Sequence, residues 1–307
     1  MNVNIDEDGD LLLRVGSELE ESEHRLFRVC SSALRRASPV WKKMLFGLWA
    51  EAKPKEGQWV VSLPDDPSTA LEVILDIIHA RFQCLPNTFT PSLTQIYQIL
   101  ILVDKYDVVH VIRPCVKEWT KTLESVTKIP ASDRAARIHV AWELGNHWRY
   151  PKDLIAAVFR PCVDGRSGGL VYESSKTNFA LINRDHFGPP DLIEVIQQAR
   201  LNMIQRALDF FHKQISLRAG NNSACSVSVK KKRQLDSDSV SERKRCDMLI
   251  LSGIYRGLME SSNGSLSENA SDISGRPEML LGVLNNIFHK IELDCLEGHA
   301  DCSPAAE

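Results

Sequence analysis

The sequence predicts an α+β protein, with a small domain of strands and helices followed by a mainly α-helical region. Three short apolar runs resembling strands lie within the first 63 residues, bounded by charged or turn-forming residues. After Pro64 the apolar residues change to helical spacing, and most later apolar runs keep that spacing. Interleaved strands followed by helices are typical of a small α+β domain.

The three predicted strands are residues 9–15, 24–29 and 58–63, with the sequences GDLLLRV, HRLFRV and QWVVSL. The polar stretch GSELEESE separates the first two, so they are expected to form a hairpin with its charges in the connection. The turn sequence PDDP ends the third strand. Residues 1–8, MNVNIDED, predict an acidic tail.

Helices are expected between and after these strands. Ser31 can cap one short helix, and Ser38 followed by Pro39 can begin the next. Three amphipathic helices then follow, and the last has Pro114 in its opening turn, where a missing N–H does little harm. The predicted domain, with a three-stranded sheet and helices, therefore covers residues 9–125.

The rest of the chain predicts helices separated by polar segments. Residues 126–218 predict a helical region with a helical pair over 131–160, a loop-like stretch, and a long helix. The apolar stripe of the long helix is Leu192, Val195, Ile196, Ala199, Met203, Ala207, Phe210 and Phe211. Residues 219–245 predict a basic, Ser-rich linker. Residues 246–307 predict a C-terminal helical segment and tail.

Composition and charge limit the classes of function. Among 307 residues, 43% are hydrophobic and 25% are charged, which is average for a globular protein. The net charge of -3 argues against broad nucleic-acid binding. The acidic start lacks the apolar run of a signal peptide, and no segment predicts a membrane span. Eight cysteines without a C-x-x-C pair suggest reduced thiols, so we expect an intracellular address, nucleus or cytoplasm.

Four ordered segments carry a resemblance to a known family. They are DGDLLLRV, FRVCSSALRRASPVWKKML, VVSLPDDPSTALEVILDIIHARF and LVDKYDVVHVIRPCVKEW. Together they closely resemble the BTB/POZ domain in its filamentous-fungal form, over about residues 8–125. CDMLILSGIYRGL and the CLEGHADCSP tail look like the C-terminal part of long fungal proteins that carry this domain. The resemblance implies a protein-interaction module, a scaffold or adaptor, with no catalytic activity of its own and no cofactor.

Position in the family fold suggests where such an interaction would occur. BTB domains in other families self-associate, or act as adaptors for cullin-type ubiquitin ligases through the helix that here includes Trp41–Leu48 and helices near 93–125. The sequence does not choose between a homo-oligomer and a cullin-family partner, and it predicts no small-molecule substrate or membrane partner. The expected anchors, for which core packing is the alternative, are Leu11, Leu13, Trp41, Met44 and Trp49.

Cys30 lies at the joint between a predicted strand and a predicted helix. The helix dipole and the nearby Arg28 and Arg35 would favour a thiolate there. Many BTB domains have a histidine at this place, in an F-x-x-H-x-x-x-L pattern that Phe27, Cys30 and Leu34 occupy here. Because the resemblance implies a packing position, we interpret Cys30 as a core joint and not as a nucleophile.

A serine hydrolase using Ser167 is the alternative from another class of function. Residues 165–169, GRSGG, match the G-x-S-x-G pattern, and Asp191 and His212 follow in the order of a catalytic triad. That motif requires a strand before it and a helix after it, whereas the preceding run is helical and LVYESS follows. A surface loop is therefore the favoured interpretation.

Three residues of the tail have ligand-like spacing. Cys295, His299 and Cys302 form C-x3-H-x2-C, with Cys246 or His289 as a candidate fourth ligand for zinc. Structural zinc sites usually show two closely spaced ligand pairs. We therefore predict no metal, and treat this zinc site as a weak alternative to a packed or exposed tail.

Two basic clusters in the predicted linker, KKKR and RKR, stand nine residues apart and resemble a bipartite nuclear import signal. Solvated linker charge explains the clusters equally well. Neither cluster lies on a predicted amphipathic helix, so the sequence does not favour DNA binding. The residues are Lys230, Lys231, Lys232, Arg233, Arg243, Lys244 and Arg245.

Overall fold

The computed structural model describes residues 2–19, 24–83, 91–173, 178–180, 188–220, 223–225, 237–262, 266–291 and 302. The chain divides into an N-terminal unit, Met1–Asp153 with Arg184–Pro190, and a C-terminal unit, Leu154–Asn183 with Asp191–Glu307. The structure is mixed α+β and 57% helical, which confirms the predicted fold class. None of the described helices has both the length and the apolar composition that a membrane span needs.

The N-terminal unit contains a four-stranded sheet in the order β1-β3-β2-β4. Its strands are β1 (Asn2–Asn4), β2 (Leu11–Val15), β3 (Arg25–Val29) and β4 (Val60–Leu63). The antiparallel pairing of β2 with β3 confirms the predicted hairpin, and β4 lies parallel to β2. β1, parallel to β3, falls within the predicted acidic tail. The predicted three-stranded sheet is therefore corrected to four strands, and β1 was not predicted because three residues are too few to show strand alternation.

Seven helices accompany this sheet: α1 (Ser31–Ala37), α2 (Pro39–Phe46), α3 (Ser68–Ile78), α4 (Leu93–Lys105), α5 (Val116–Ser125), α6 (Arg134–Glu143) and α7 (Arg149–Phe159), the last of which continues into the C-terminal unit. α5 begins after Pro114, beyond the predicted start near Val111, because turns occupy the preceding residues. The compact unit also extends past residue 125. α6 packs against α4, and Val140 and Ala141 belong to the same hydrophobic core as the sheet.

The C-terminal unit contains a second, three-stranded antiparallel sheet. Its strands are β5 (Cys162–Val163), β6 (Leu170–Glu173) and β7 (Asn178–Ala180). This sheet corrects the prediction that the region consists of helices and a loop-like stretch, because β6 and the start of β7 lie within DGRSGGLVYESSKTN. The strands are two to four residues long, too short for a periodic signal in the sequence.

Three longer helices complete the C-terminal unit: α8 (Leu192–Ala219), α9 (Ser237–Ser262) and α10 (Pro277–His289). α9 begins inside the predicted linker, so the region 219–245 is partly helical. Two glycines allow α9 to approach the C-terminal segment closely. A Cβ atom at Gly257 would lie 2.6 Å from Cγ1 of Ile287, and one at Gly253 would lie 2.9 Å from Cγ1 of Ile291.

The buried face of α8 differs from the predicted stripe. Val195 is 60% exposed, whereas Arg200 is only 2% exposed. The Arg200 guanidinium donates from Nη2 to the carbonyl oxygens of Ile273 at 3.1 Å and Gly275 at 2.5 Å. Backbone acceptors from a distant segment therefore allow a charged residue to replace an apolar one on this face.

Replacing Arg200 by methionine should destabilise the C-terminal unit, because the carbonyl oxygens of residues 273–275 lose their buried donor. We expect the free energy of unfolding to fall by about 2 kcal/mol. Arg206→Met, at an exposed position of the same helix, is the control and should change it little. Hydrogen exchange of α8 peptides measures both effects, and equal protection in the two variants would contradict a stabilising role for Arg200.

Candidate interaction surface

The structure separates the five predicted interaction anchors. Leu11, Leu13 and Trp41 are 0%, 1% and 1% exposed, so their side chains have no surface with which to contact a partner. This corrects the prediction for these three residues, which are core residues of the N-terminal unit. Met44 is half-buried and packs against the same core. Trp49 remains at the surface, with 67% of its area exposed.

Trp49 belongs to a group of exposed apolar side chains at the end of α2, which we call the apolar patch: Phe46, Leu48 and Trp49. Leu48 is fully exposed, while Phe46 is 41% exposed. The ring of Phe46 also makes an edge contact, 6.0 Å between centroids, with the buried Trp59. Large apolar side chains grouped at a surface are typical of a protein contact site.

The local sequence explains why these residues face outward. Ser38 caps α2 by accepting a hydrogen bond from the Trp41 backbone N–H at 3.0 Å, and the helix then buries Trp41 and Leu45. α2 ends at Gly47, where an added Cβ atom would lie only 2.3 Å from the Lys43 carbonyl oxygen. Glycine therefore permits a tight exit from the helix, and the chain that follows carries its side chains into solvent.

Charged side chains border the apolar patch. The Arg35 guanidinium lies 5.0 Å from the centroid of the Phe46 ring. The Lys53 ammonium lies 5.6 Å from the centroid of the Trp59 ring and 3.4 Å from the Asp10 carboxylate. An apolar centre with aromatic and arginine residues and a polar rim is the usual composition of a protein interface.

A buried network holds α2, and with it the apolar patch, in place. The carboxylate of Asp66, 1% exposed, accepts hydrogen bonds from the Tyr106 hydroxyl and the Lys105 ammonium. Ser38 donates its hydroxyl to the Tyr106 carbonyl oxygen at 2.6 Å, and the ring of Trp41 contacts that of Tyr106 at 4.8 Å. Burial, together with the charge of Asp66, raises the pKa of Tyr106, so the hydroxyl stays a donor.

A second surface feature of the N-terminal unit is a groove of about 580 Å³ between the start of α4, α5 and residues 126–133. Leu93, Ile129 and Pro130 contribute apolar surface, while Glu118 and Thr122 from α5 contribute polar groups. The groove lies among the helices near 93–125 that the family resemblance implies for cullin docking.

Cys30 is half-buried at the start of α1, between Phe27 and Leu34, which are fully buried. The structure places a base near it that the sequence did not indicate. His79 accepts a hydrogen bond at Nε2 from the Cys30 backbone N–H, 3.0 Å away, and its Nδ1 lies 2.9 Å from the Leu75 carbonyl oxygen. Both ring nitrogens are therefore engaged by the backbone, and His79 fixes the joint between β3 and α1.

Neutral His79 should make the stability of the N-terminal unit depend on pH. Burial lowers its pKa below the ordinary value of 6.5, so on acidification the unfolded chain binds a proton before the folded one does. The contribution of His79 is complete above that value and is lost as the pH falls towards the folded pKa. We expect the free energy of unfolding to fall more between about pH 7 and about pH 5 in the wild type than in His79→Gln.

Urea unfolding of both proteins at several pH values measures this difference. Asp76, whose pKa burial raises to about 6, titrates in the same range but is present in both proteins. A wild type and a variant with parallel pH profiles would contradict the role given to His79.

Ser167 lies in the hairpin loop between β5 and β6, not between a strand and a helix. Its hydroxyl donates to the Asp164 carboxylate at 2.7 Å, and its backbone N–H donates to the same oxygen at 2.9 Å. The ring of His212 instead lies with Nε2 3.1 Å from the Ser267 carbonyl oxygen. Loop 164–169 therefore lacks the geometry of a nucleophile elbow, and these contacts leave Ser167 with a turn-forming role.

The predicted zinc ligands fall in different places. Cys295 and His299 lie outside the described residues, and His289 is exposed at the end of α10. Cys302 and Cys246 are buried and close together, and they meet Cys225, whose role the sequence did not indicate. Cys225 lies in the predicted linker, where composition gave no sign of a buried residue.

The predicted import signal is described only in part. Its first cluster, residues 230–233, lies outside the described residues. The second cluster, Arg243, Lys244 and Arg245, lies on α9 and not in a linker, because the helix begins at Ser237. Lys244 and Arg245 are exposed, and Arg243 is half-buried.

Comparisons of the chain with protein-family models, with curated proteins and with solved structures found no match.

Proposed function

We propose that this chain is a non-catalytic protein-interaction module of the BTB/POZ type, which associates with a second copy of itself through the apolar patch. The observation that carries the proposal is the exposure of Leu48 and Trp49 next to the rigidly held helix α2. The order of strands and helices in the N-terminal unit supports the BTB/POZ resemblance, and the charged rim around the patch supports a protein partner.

The physics of the apolar patch favours association. Burying one large apolar side chain is worth about 1.5 to 3 kcal/mol, and this gain is still fully available for Leu48 and largely available for Trp49, which is 67% exposed. A two-fold contact uses the same surface twice, so a single patch of this kind is sufficient for a dimer.

A cullin-type ubiquitin-ligase adaptor is the second candidate. The groove between α4 and α5 favours it, because the groove offers a second docking surface on the helices that the resemblance implies. A scaffold protein bound there would leave the apolar patch accessible to another partner. A substitution in the apolar patch should therefore impair self-association, whereas one in the groove should impair binding of a cullin-type partner.

We also propose that the protein is located in the nucleus or the cytoplasm. The six described cysteines form no disulfide with one another, in agreement with a reducing compartment. The exposed Lys244 and Arg245 on α9 are accessible for recognition by an import receptor. Replacing both clusters of the predicted import signal is expected to shift a fluorescently tagged chain from nucleus to cytoplasm.

Leu48→Asp in the full chain is expected to abolish self-association. A carboxylate in the centre of the patch would have to be desolvated without a partner in the dimer, whereas in the monomer it is exposed to water. Trp49→Ala should weaken the dimer at least tenfold, because an interface loses the large contact area of an aromatic anchor. Light-scattering mass across a concentration series measures both variants.

Trp148→Ala is the matched control, because Trp148 is 71% exposed in the turn before α7 and should leave the mass unchanged. A wild-type chain that stays monomeric at every concentration would contradict self-association. Equal weakening by Trp49→Ala and Trp148→Ala would contradict the assignment to the patch.

A further inference from the structure

Three buried cysteines from separate segments meet in the C-terminal unit. They are Cys225, Cys246 on α9, and Cys302, and they are 7%, 0% and 7% exposed. Their sulfur atoms all lie within 4.8 Å of one another, and Cys225 Sγ is 3.7 Å from Cys302 Sγ. Cys225 and Cys302 are 77 residues apart in sequence. The fold, and not local spacing, therefore brings the thiols together.

The sulfur separations suit a shared metal ion. A disulfide requires about 2.05 Å between sulfur atoms, much shorter than the observed 3.7 Å. Zinc–thiolate bonds of about 2.3 Å at tetrahedral angles place neighbouring sulfur atoms about 3.8 Å apart. Three soft donors converging on one point are the ligand type that zinc prefers over magnesium or calcium.

We propose that Cys225, Cys246 and Cys302 bind a structural zinc ion that fastens the segments around α9 to one another. A buried ion there would connect the residues after α8, the middle of α9 and the C-terminal tail. This site lies outside the surface assigned to protein association, so the two proposals are independent.

Neighbouring groups hold two of the three ligands in position. Asp247, 4% exposed and next to Cys246, accepts a hydrogen bond from the Ala224 backbone N–H at 3.1 Å and another from the Ser223 hydroxyl. It thereby fixes the segment that carries Cys225 to α9. Arg218, in the last turn of α8, donates from Nη2 to the Cys302 carbonyl oxygen at 3.2 Å. Outer-shell contacts of this kind orient metal ligands.

Zinc binding at this site would be coupled to the release of protons. Zinc binding replaces the thiol protons and compensates the charge of three thiolates in one buried place. The apparent zinc affinity should therefore fall as the pH is lowered.

A structural zinc ion normally has four ligands. The three cysteines supply three of them. His289 is not a member of the thiol cluster.

The test begins with the metal content of the full wild-type chain, purified with reductant and without added chelator. Mass spectrometry of the metal is expected to find one zinc per chain. Replacement by Co²⁺ should give the visible absorption of a tetrahedral cobalt–thiolate site. Cys225→Ser and Cys302→Ser should each lose the stoichiometric zinc, whereas Cys115→Ser, a half-buried cysteine of the N-terminal unit, should retain it.

Circular dichroism of each variant shows whether it remains folded, and zinc titration of chelator-treated wild type gives the same answer without any substitution. A wild-type chain that neither contains zinc nor takes it up would overturn the proposal. A Cys225–Cys302 disulfide in the reduced preparation would overturn it as well.

Discussion

Trp41→Ala is expected to lower the free energy of unfolding of the N-terminal unit by about 3 to 5 kcal/mol. The indole is 1% exposed and contacts the ring of Tyr106, so its removal leaves a cavity in the core that joins α2 to the end of α4. The surrounding side chains belong to well-packed helices and can relax only partly. Urea unfolding followed by circular dichroism measures the loss.

Trp49→Ala is the matched control, a tryptophan eight positions later with 67% of its surface exposed. At a protein concentration low enough to keep both proteins monomeric, its free energy of unfolding should stay within about 0.5 kcal/mol of the wild type. Trp41→Ala is thus expected to lower the stability of the fold, whereas Trp49→Ala is expected to weaken association. Similar unfolding curves for Trp41→Ala and the wild type would contradict the assignment of Trp41 to the core.

Asp66→Ala should have the second large effect, a loss of about 2 to 4 kcal/mol in the free energy of unfolding. The carboxylate accepts from the Tyr106 hydroxyl and pairs with Lys105, and no water can reach it in the fold because it is 1% exposed. Without Asp66 the buried hydroxyl loses its acceptor. The side chain of Lys105 is 46% exposed and recovers part of its hydration, which limits the loss.

Asp65→Ala serves as the control, since the neighbouring aspartate is exposed and should contribute little. A double-mutant cycle with Tyr106→Phe isolates the contact between Asp66 and Tyr106. We expect a coupling free energy of about 1 kcal/mol or more for this pair. Additive effects of Asp66→Ala and Tyr106→Phe would contradict the direct hydrogen bond between them.

Whether a strand of the N-terminal unit could be predicted from the sequence depends on the length of its alternating pattern. β2 and β3 alternate over five residues and form an amphipathic hairpin, so their positions could be predicted. β1 has three residues, and it forms because the edge of β3 is available to it, which depends on tertiary structure. The same limit applies to β6, which lies in the stretch that was predicted to be a glycine-containing loop.

Only part of the candidate surface could be predicted, because the exact end of α2 determines which apolar side chains are exposed. Trp41, Leu45 and Leu48 would lie on one face of α2 if the helix continued, and all three would then be buried. The close approach of Gly47 to the Lys43 carbonyl oxygen ends the helix first and leaves Leu48 and Trp49 in solvent. The sequence pattern shows the apolar residues, but the exact end of the helix determines which of them face a partner.

The thiol cluster and the position of Arg200 show a different limit. Both depend on contacts between segments more than 70 residues apart, between Cys225 and Cys302 and between Arg200 and Ile273. Contacts between such distant segments cannot be predicted from the local spacing of residues. Cys302 was a candidate ligand because of its neighbours in the tail, whereas Cys225 could be recognised only from the fold.

Photo-cross-linking from position 49 tests the central claim most directly. A benzophenone amino acid replaces Trp49 in the full chain, and a second protein carries it in place of Trp148 as the control. After irradiation of the purified proteins, we expect a covalent species of twice the chain mass from position 49 only, with cross-links to residues near Phe46 and Leu48 of the second copy. A monomeric product from position 49, or equal cross-linking from both positions, would contradict the proposal that the apolar patch is an association surface.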